Sequence, residues 1–460
     1  MPGENVRAYL RSHHERILNL LTDFAAIPSV STDPAHADDM RRAAQWVADR
    51  LATAGPLSVR VMETPHNPII YAEWLGALGK PTVLVYGHYD VQPPDPLEKW
   101  DTPPFSPTVR DGRLYARGVS DDKGPVLIPM MVAEAFFAVD GALPLNIKFL
   151  IEGEEEIGSP SLDPFIAAHK ELLAADLVLS ADGAMWRPTE PSLTVASRGL
   201  AGLNLTLTAA AKDLHSGRHG GSVANPLQAM AQLIASLHHA DGRIAVAGFY
   251  DRVRELSDAE RAAIAAIPFD DAEYLAQIGA PPGHGEQGYT LLERQWTRPT
   301  LELNGLWGGY QGPGQKTVIP CEAHAKITCR LVPDQDPDEI VAVITRHLEA
   351  HQPPGTRLTI APGDHGTPAA HIATDHPALA AASAALQAVY GETPLVVRMG
   401  ATVPIMELFN RHMGIDTVYF SFSTSDEDYH APNEFFRVNR LHEGLEAWAR
   451  YWELLGEAHA

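Results

Sequence analysis

Cysteine is nearly absent from this chain: 460 residues contain two, Cys321 and Cys329, with no Cys-x-x-Cys spacing. That argues against a disulfide framework, and so few thiols fit a reducing cytoplasm. Both cysteines sit in an alternating apolar stretch and read as small buried hydrophobes. Positive charge is also scarce, with 35 Lys and Arg against 58 Asp and Glu and a net charge of −23. So acidic a surface repels phosphate backbones and offers no basic cluster to anionic lipid, which disfavours nucleic acid and membrane as partners. No apolar stretch is long enough to span a bilayer. The N-terminus lacks the apolar run and cleavage site of a signal peptide. Val6, Leu10, Ile17, Leu20, Leu21 and Phe24 recur there at helical spacing instead, predicting an amphipathic helix.

What is present is ordinary globular material, 45% hydrophobic and 20% charged, in a chain longer than one core usually serves. Two domains are the expectation. Short apolar runs at Thr82–Tyr86, Leu145–Ile151, Leu177–Ser180 and Asp416–Phe422 alternate with helical patterns at Gly124–Val139 and Leu441–Leu455. Such alternation predicts a mostly parallel sheet in an α/β domain over 1–196 and 373–460. Between them, 197–372 shows alternating strands such as Gly202–Leu207 and Ala323–Leu331 with loops rich in Gly and Pro, which reads as an inserted α+β domain. The α/β pattern resumes where Asp375 caps an Ala-rich helix. His238, His239, His347 and His442 fall in helical segments and read as surface residues.

In an open α/β sheet, ligands bind outside the carboxyl ends of the strands. Just past those ends stand His88 and Asp90, then Glu152, Glu154, Glu155 and Glu156, then Asp182, and finally a polar loop leading to His430. Between the first two strands, Asp121 and Asp122 directly precede a helix. Each alone has a bland explanation: a loop histidine, a solvated acidic face, a helix cap. Their gathering at one sheet edge does not, because clustered carboxylates repel unless cations neutralise them. The mixture of imidazole and carboxylate suits zinc or manganese rather than calcium.

These segments resemble the di-zinc exopeptidases that include carnosinase, carboxypeptidase G and aminoacylase, and most closely the carnosinase-like dipeptidase branch. The resemblance rests on GHYDVQP at Gly87–Pro93, RGVSDDKGP at Arg117–Pro125 and EGEEEIGSP at Glu152–Pro160, together with DLHSGRHGG at Asp213–Gly221, GPGQKTVIP at Gly312–Pro320, RLVPDQDP at Arg330–Pro337 and HAPNE at His430–Glu434. It implies two divalent metals per subunit, zinc or else manganese, with His88 and Asp182 on one, Glu156 and His430 on the other, and Asp121 bridging both. It implies Glu155 as general base, the first of two acids before x-Gly-Ser; the extra acid at Glu154 leaves that register to be settled. Asp90, two residues after His88, is placed to hold the imidazole's other nitrogen. Two dications are balanced by Asp121, Glu156, Asp182 and a bridging hydroxide, whose attack such pairs enable at neutral pH. A cis peptide between Asp121 and Asp122 is also implied.

The resemblance makes the inserted domain a lid and dimerisation domain. His215 would then cross to the partner's active site in a homodimer and stabilise the tetrahedral oxyanion. Arg330 is suited to grip a substrate carboxylate with a guanidinium fork. Arg398-Met399-Gly400-Ala401-Thr402-Val403-Pro404 is similar to the family's Arg-Glu-Gly-Gly-Ser-Ile-Pro loop, which helps bind that carboxylate; here Met399, Ala401 and Thr402 depart from it, Thr402 keeping the hydroxyl. The implied activity is amide hydrolysis in dipeptides or short peptides. The alternatives are an N-acyl or N-carbamoyl amino acid amidohydrolase with the same metals, and a non-catalytic metal-binding relative.

Overall fold

Four parallel strands sit side by side within a six-stranded sheet. The computed structural model describes residues 3–363, 366–402 and 404–457, Pro404 by its backbone alone. The sheet order is Ser58–Met62, Ile69–Trp74, Asn146–Glu152, Thr82–His88, Leu177–Ser180, Thr417–Tyr419. The last four run parallel. The first two form an antiparallel edge that the sequence reading did not assign. Only residues 63–68 join them, too short a link for the crossover that a parallel pair needs. Asn146–Glu152 and Leu177–Ser180 are buried throughout, as central parallel strands are.

Helix Gly124–Asp140 is apolar from Gly124 to Phe136 except at Glu134, which pairs with Arg16 and Arg50, and it is buried through Phe136, so it lies inside the domain rather than on it. It packs with the closing helix Val438–Glu457, whose Trp448 and Trp452 are fully buried. The predicted N-terminal helix is two helices, Glu4–Ser12 and His14–Ala25. The break falls at His13, whose Nδ1 lies 2.8 Å from the Tyr9 carbonyl oxygen and competes for the backbone there. Val6, Leu10, Ile17, Leu21 and Phe24 are still all buried. The Ala-rich helix starts at Pro377, and its cap is His376, which accepts from the Ala378 amide, not Asp375. His442 is not a free surface residue either: its ring stacks on His14 at 3.6 Å. His238 and His239 lie beyond the helix that ends at Ala235.

The chain divides into two compact units, Met1–Val195 with Ile372–Val397 and Leu408–Ala460, and Ala196–His371 with Arg398–Glu407. The second is built on an antiparallel sheet ordered Thr300–Gly308, Glu322–Leu331, Gly199–Thr208, Arg357–Pro362. Its two central strands alternate strictly, and Leu203, Leu205, Leu207, Ala325, Ile327 and Cys329 turn inward. They pack on Met230 and Leu233 of helix Pro226–Ala235 and on Ile340, Ile344 and Leu348 of helix Pro337–Ala350. Cys329 is buried as expected, whereas Cys321 at a strand end is only half-buried; neither forms a disulfide. Three further helices, Asp258–Ala265, Asp271–Gln277 and Leu291–Thr297, lie between the helix that ends at Ala235 and the strand that starts at Thr300. The first and third begin with reciprocal capping boxes, Ser257 with Glu260 and Thr290 with Glu293.

Candidate functional site

Strand register carries the chemistry to one edge. His88 pairs with Glu152, Tyr86 with Ser180, and Ser180 with Tyr419, so four carboxyl ends are level and their loops converge. Two trios of donor atoms result. His88, Asp121 and Asp182 form one; Asp121, Glu156 and His430 form the other; within each, the atoms lie within 4.8 Å of one another. Asp121 serves both, its Oδ1 3.0 Å from His88 Nε2 and its Oδ2 3.1 Å from His430 Nε2. Glu156 Oε2 is 3.2 Å from the same His430 nitrogen.

The surrounding residues aim these donors. His88 Nδ1 lies 3.1 Å from the Asp90 backbone oxygen and 3.3 Å from its carboxylate, which holds a proton on Nδ1 and makes Nε2 the nitrogen that a cation would take. The Asp90 carboxylate also accepts the amides of Glu155 and Glu156, at 3.3 and 3.0 Å. One buried acid thereby orients a histidine and the glutamate pair. Glu154 points elsewhere: Thr64 and the amides of Asn67 and Ser161 donate to it. Gln92 donates to Glu156 Oε2 at 2.8 Å.

The Asp121 loop is tightly constrained. Its Asp121–Asp122 peptide is cis, as the resemblance implied. Gly118 takes φ +76°, and a Cβ there would sit 1.9 Å from Val91. Glu434, 1% exposed, accepts from Arg117 Nη1 and the Gly118 amide at 2.8 Å, the Ser120 amide at 2.9 Å and the Asp121 amide at 3.3 Å. No role was assigned to Glu434 from sequence, although it closes the HAPNE motif four residues after His430. His430 and Asn433 adopt left-handed backbone at φ 63° and 65°, a conformation that tight loops enforce for the placement of a side chain.

Burial and like charge leave the acids frustrated. Burial, reinforced by Asp121 and Glu156 and opposed by His88, pushes Asp182 up to about 7. Burial likewise lifts Glu155 well above the carboxylate range, with Asp182 and Asp121 adding to it, and it lifts Glu156. Asp121 is buried too, yet the hydrogen bonds with His430 and His88 hold it below the usual range. The bonds to Asp121 and Glu156 raise His430 to about 10. Three carboxylates and two imidazoles so arranged fit two divalent cations: the positive charge satisfies what the protein's own groups do not.

In the second unit, His215 is exposed and its Nδ1 accepts from the Gly217 amide at 3.0 Å. A backbone amide can only donate, so the ring's proton sits on Nε2, a free donor. Arg330 Nη1 donates to Thr402 Oγ1 at 2.7 Å. Arg198, which the sequence reading missed, donates from Nε to the Gly400 carbonyl at 2.8 Å, and its Nη1 is buried without a partner. Burial and the neighbouring Arg330 lower its guanidinium to about 10. The signal for Arg198 is register: Leu200, two residues on, pairs with Arg330. Val403 of this loop lies outside the described residues.

A family model described as Peptidase family M20/M25/M40 matches residues 84–454. The chain is 31% identical to the Beta-Ala-His dipeptidase of Homo sapiens over 99% of its own length and 93% of the other's. Among solved structures, the di-peptidase Dug1p from Saccharomyces cerevisiae aligns with a TM-score of 0.79 at 28% identity, covering 99% of both chains. The metallo-carboxypeptidase Sso-CP2 from Sulfolobus solfataricus aligns at 0.82 and 30% identity, covering 96% of this chain and 99% of that one. A match running from the first metal-edge strand into the closing helix, with relatives aligned along nearly the entire length, means that the chain belongs to peptidase family M20/M25/M40.

Proposed function

We propose that the chain is a dinuclear metallodipeptidase that cleaves the amide bond of dipeptides or short peptides bearing a free carboxylate. The observation that carries this reading is the sharing of Asp121 between two donor trios, one with His88 and Asp182 and one with Glu156 and His430. Zinc is the metal the donor set favours, with manganese second. When bound, the pair supplies positive charge that lowers the pKa of a water and polarises a carbonyl.

The chain's own groups do the rest. Glu155 accepts the proton of the attacking water and passes it to the leaving amine. Asp90 holds His88 in the tautomer that presents Nε2 and fixes the backbone of Glu155 and Glu156. His215 of the partner subunit donates its Nε2 proton to the oxygen on which charge develops. Arg330, Arg198 and Thr402 hold the free carboxylate, and the excess positive charge of the two guanidiniums supports that role. The second unit acts as lid and dimerisation domain of a homodimer. Exposed Leu303, Leu306 and Trp307 on its edge strand Thr300–Gly308 support an interface there. The absence of disulfides supports a cytoplasmic setting. No helix among the described residues is long and apolar enough to cross a membrane.

Metal analysis of the purified protein, combined with kinetics on dipeptides beside N-acetyl and N-carbamoyl amino acids, tests the proposal. Two metals per chain and cleavage of dipeptides are expected. Turnover confined to the N-acyl or N-carbamoyl compounds would replace the dipeptidase assignment with an amidohydrolase.

A further inference from the structure

The three-helix segment between Arg254 and Arg298 is not accounted for by the metal site or by the carboxylate grip. It is a well-tied body: Arg261 pairs with Glu293 at 2.8 Å, and Arg298, almost fully buried, bonds Glu286 between the rings of Tyr250 and Tyr289. Its contact of consequence is with the loop starting at Arg398. Arg398 Nη2 lies 3.4 Å from Glu260 Oε1, and the Gln295 carbonyl stands 3.4 Å from where a Cβ on Gly400 would be. On its other side the same loop is held by Arg198, through the carbonyls of Gly400 and Ala401, and by Arg330 through Thr402. Glu260 is shared with Arg254, which grips both its oxygens at 2.6 and 3.0 Å and holds its carboxyl down to about 2. The one carboxylate thus stands between two guanidiniums.

We propose that Glu260 is a positioning residue: through Arg398 it sets the placement of residues 398–402 and thereby the affinity for the substrate's free carboxylate. The inference rests on the reading of Arg330 and Thr402 as carboxylate-binding groups. Without the charge of Glu260, Arg254 and Arg398 repel each other and the start of the loop moves, carrying Gly400 and Thr402 off their partners. Misplacement of a binding group by a fraction of an ångström to an ångström is enough to cost about tenfold or more. The third helical position accepts Gln as readily as Glu in a capping box, so Glu260→Gln removes the charge and leaves the helix start intact.

In Glu260→Gln, KM for dipeptides with a free carboxylate is expected to rise about tenfold with kcat within about twofold. Weak turnover of C-terminally amidated dipeptides, which do not use the grip, stays at the wild-type level. Amide hydrogen exchange in residues 396–402 speeds up. Arg398→Gln reproduces all three effects, and the double variant is no worse than either single one, because both break the same contact. Unchanged exchange in the loop overturns the proposal, as does a KM rise of equal size for amidated substrates. Should the wild-type enzyme cleave no dipeptide, the functional reading falls by itself, while the exchange measurement still upholds or overturns the tether.

Discussion

The two units concentrate opposite charges. In the first, Asp121, Glu155, Glu156 and Asp182 crowd together past the carboxyl ends of the parallel strands, and burial lifts three of them above their ordinary range. In the second, Arg198 and Arg330 stand side by side, and burial lowers the former. Neither arrangement is what stability alone would select, since like charges taken out of water raise the free energy of the folded state. The difference in sign supports the proposed reading, in which cations would fill the first cluster and a substrate carboxylate the second.

The comparison breaks most sharply at Glu155. Glu155→Gln removes a buried acid that is in neither donor trio, so both metals should remain bound while kcat falls by about 10² to 10⁴. Loss of metal, or full activity, would show that the residue is not the base. Next, Glu434→Gln should weaken metal binding by about 10- to 100-fold in a chelator competition, because the Asp121 loop loses the anion that gathers its amides. Equal affinity in variant and wild type would make Glu434 a purely structural group. On the cationic side, Arg198→Ala should raise KM for dipeptides by about tenfold, the value of one hydrogen bond to a charged group, and leave metal content untouched. A fall in metal content would undo the separation of the two charge clusters.

The smallest effect lies outside both clusters, where burial acts without excess charge. Burial and the cofacial His14 ring hold His442 down to about 4. The folded pKa is thus below the unfolded value of about 6.5, so the unfolded chain binds the proton more readily. This stability is complete above about 6.5 and is lost as pH falls from there toward 4. His442→Phe should flatten part of the decline in Tm over that window while barely altering Tm at pH 8. An identical decline in both proteins would assign the acid sensitivity elsewhere.

Legibility followed the range of each cause. The donors after the parallel strands could be found because a strand's end is a local pattern and the sheet brings all such ends to one edge. The ambiguity at Glu154–Glu156 could not be resolved locally; it took Thr64, Asn67 and Ser161 to claim Glu154. Arg198 escaped notice because its meaning depends on a neighbour across the sheet 132 positions away by number, Arg330. The edge strand Ser58–Met62 was missed for want of a strong apolar run, and the helix cap fell one residue from the expected Asp375 because the His376 side chain reaches the free amide.

Residue order alone determined the two kinds of domain, the parallel strands with their apolar cores, and which acids and histidines end up at the carboxyl edge, since these depend on periodicities a few residues long. Only the tertiary structure decided which oxygen of Asp121 meets which histidine, which of three consecutive glutamates turns away, and that Glu434 gathers the amides of the Asp121 loop while Arg198 meets the Gly400 carbonyl. Those outcomes depend on distances between segments far apart in the chain, set by the packing of whole elements rather than by any stretch of sequence.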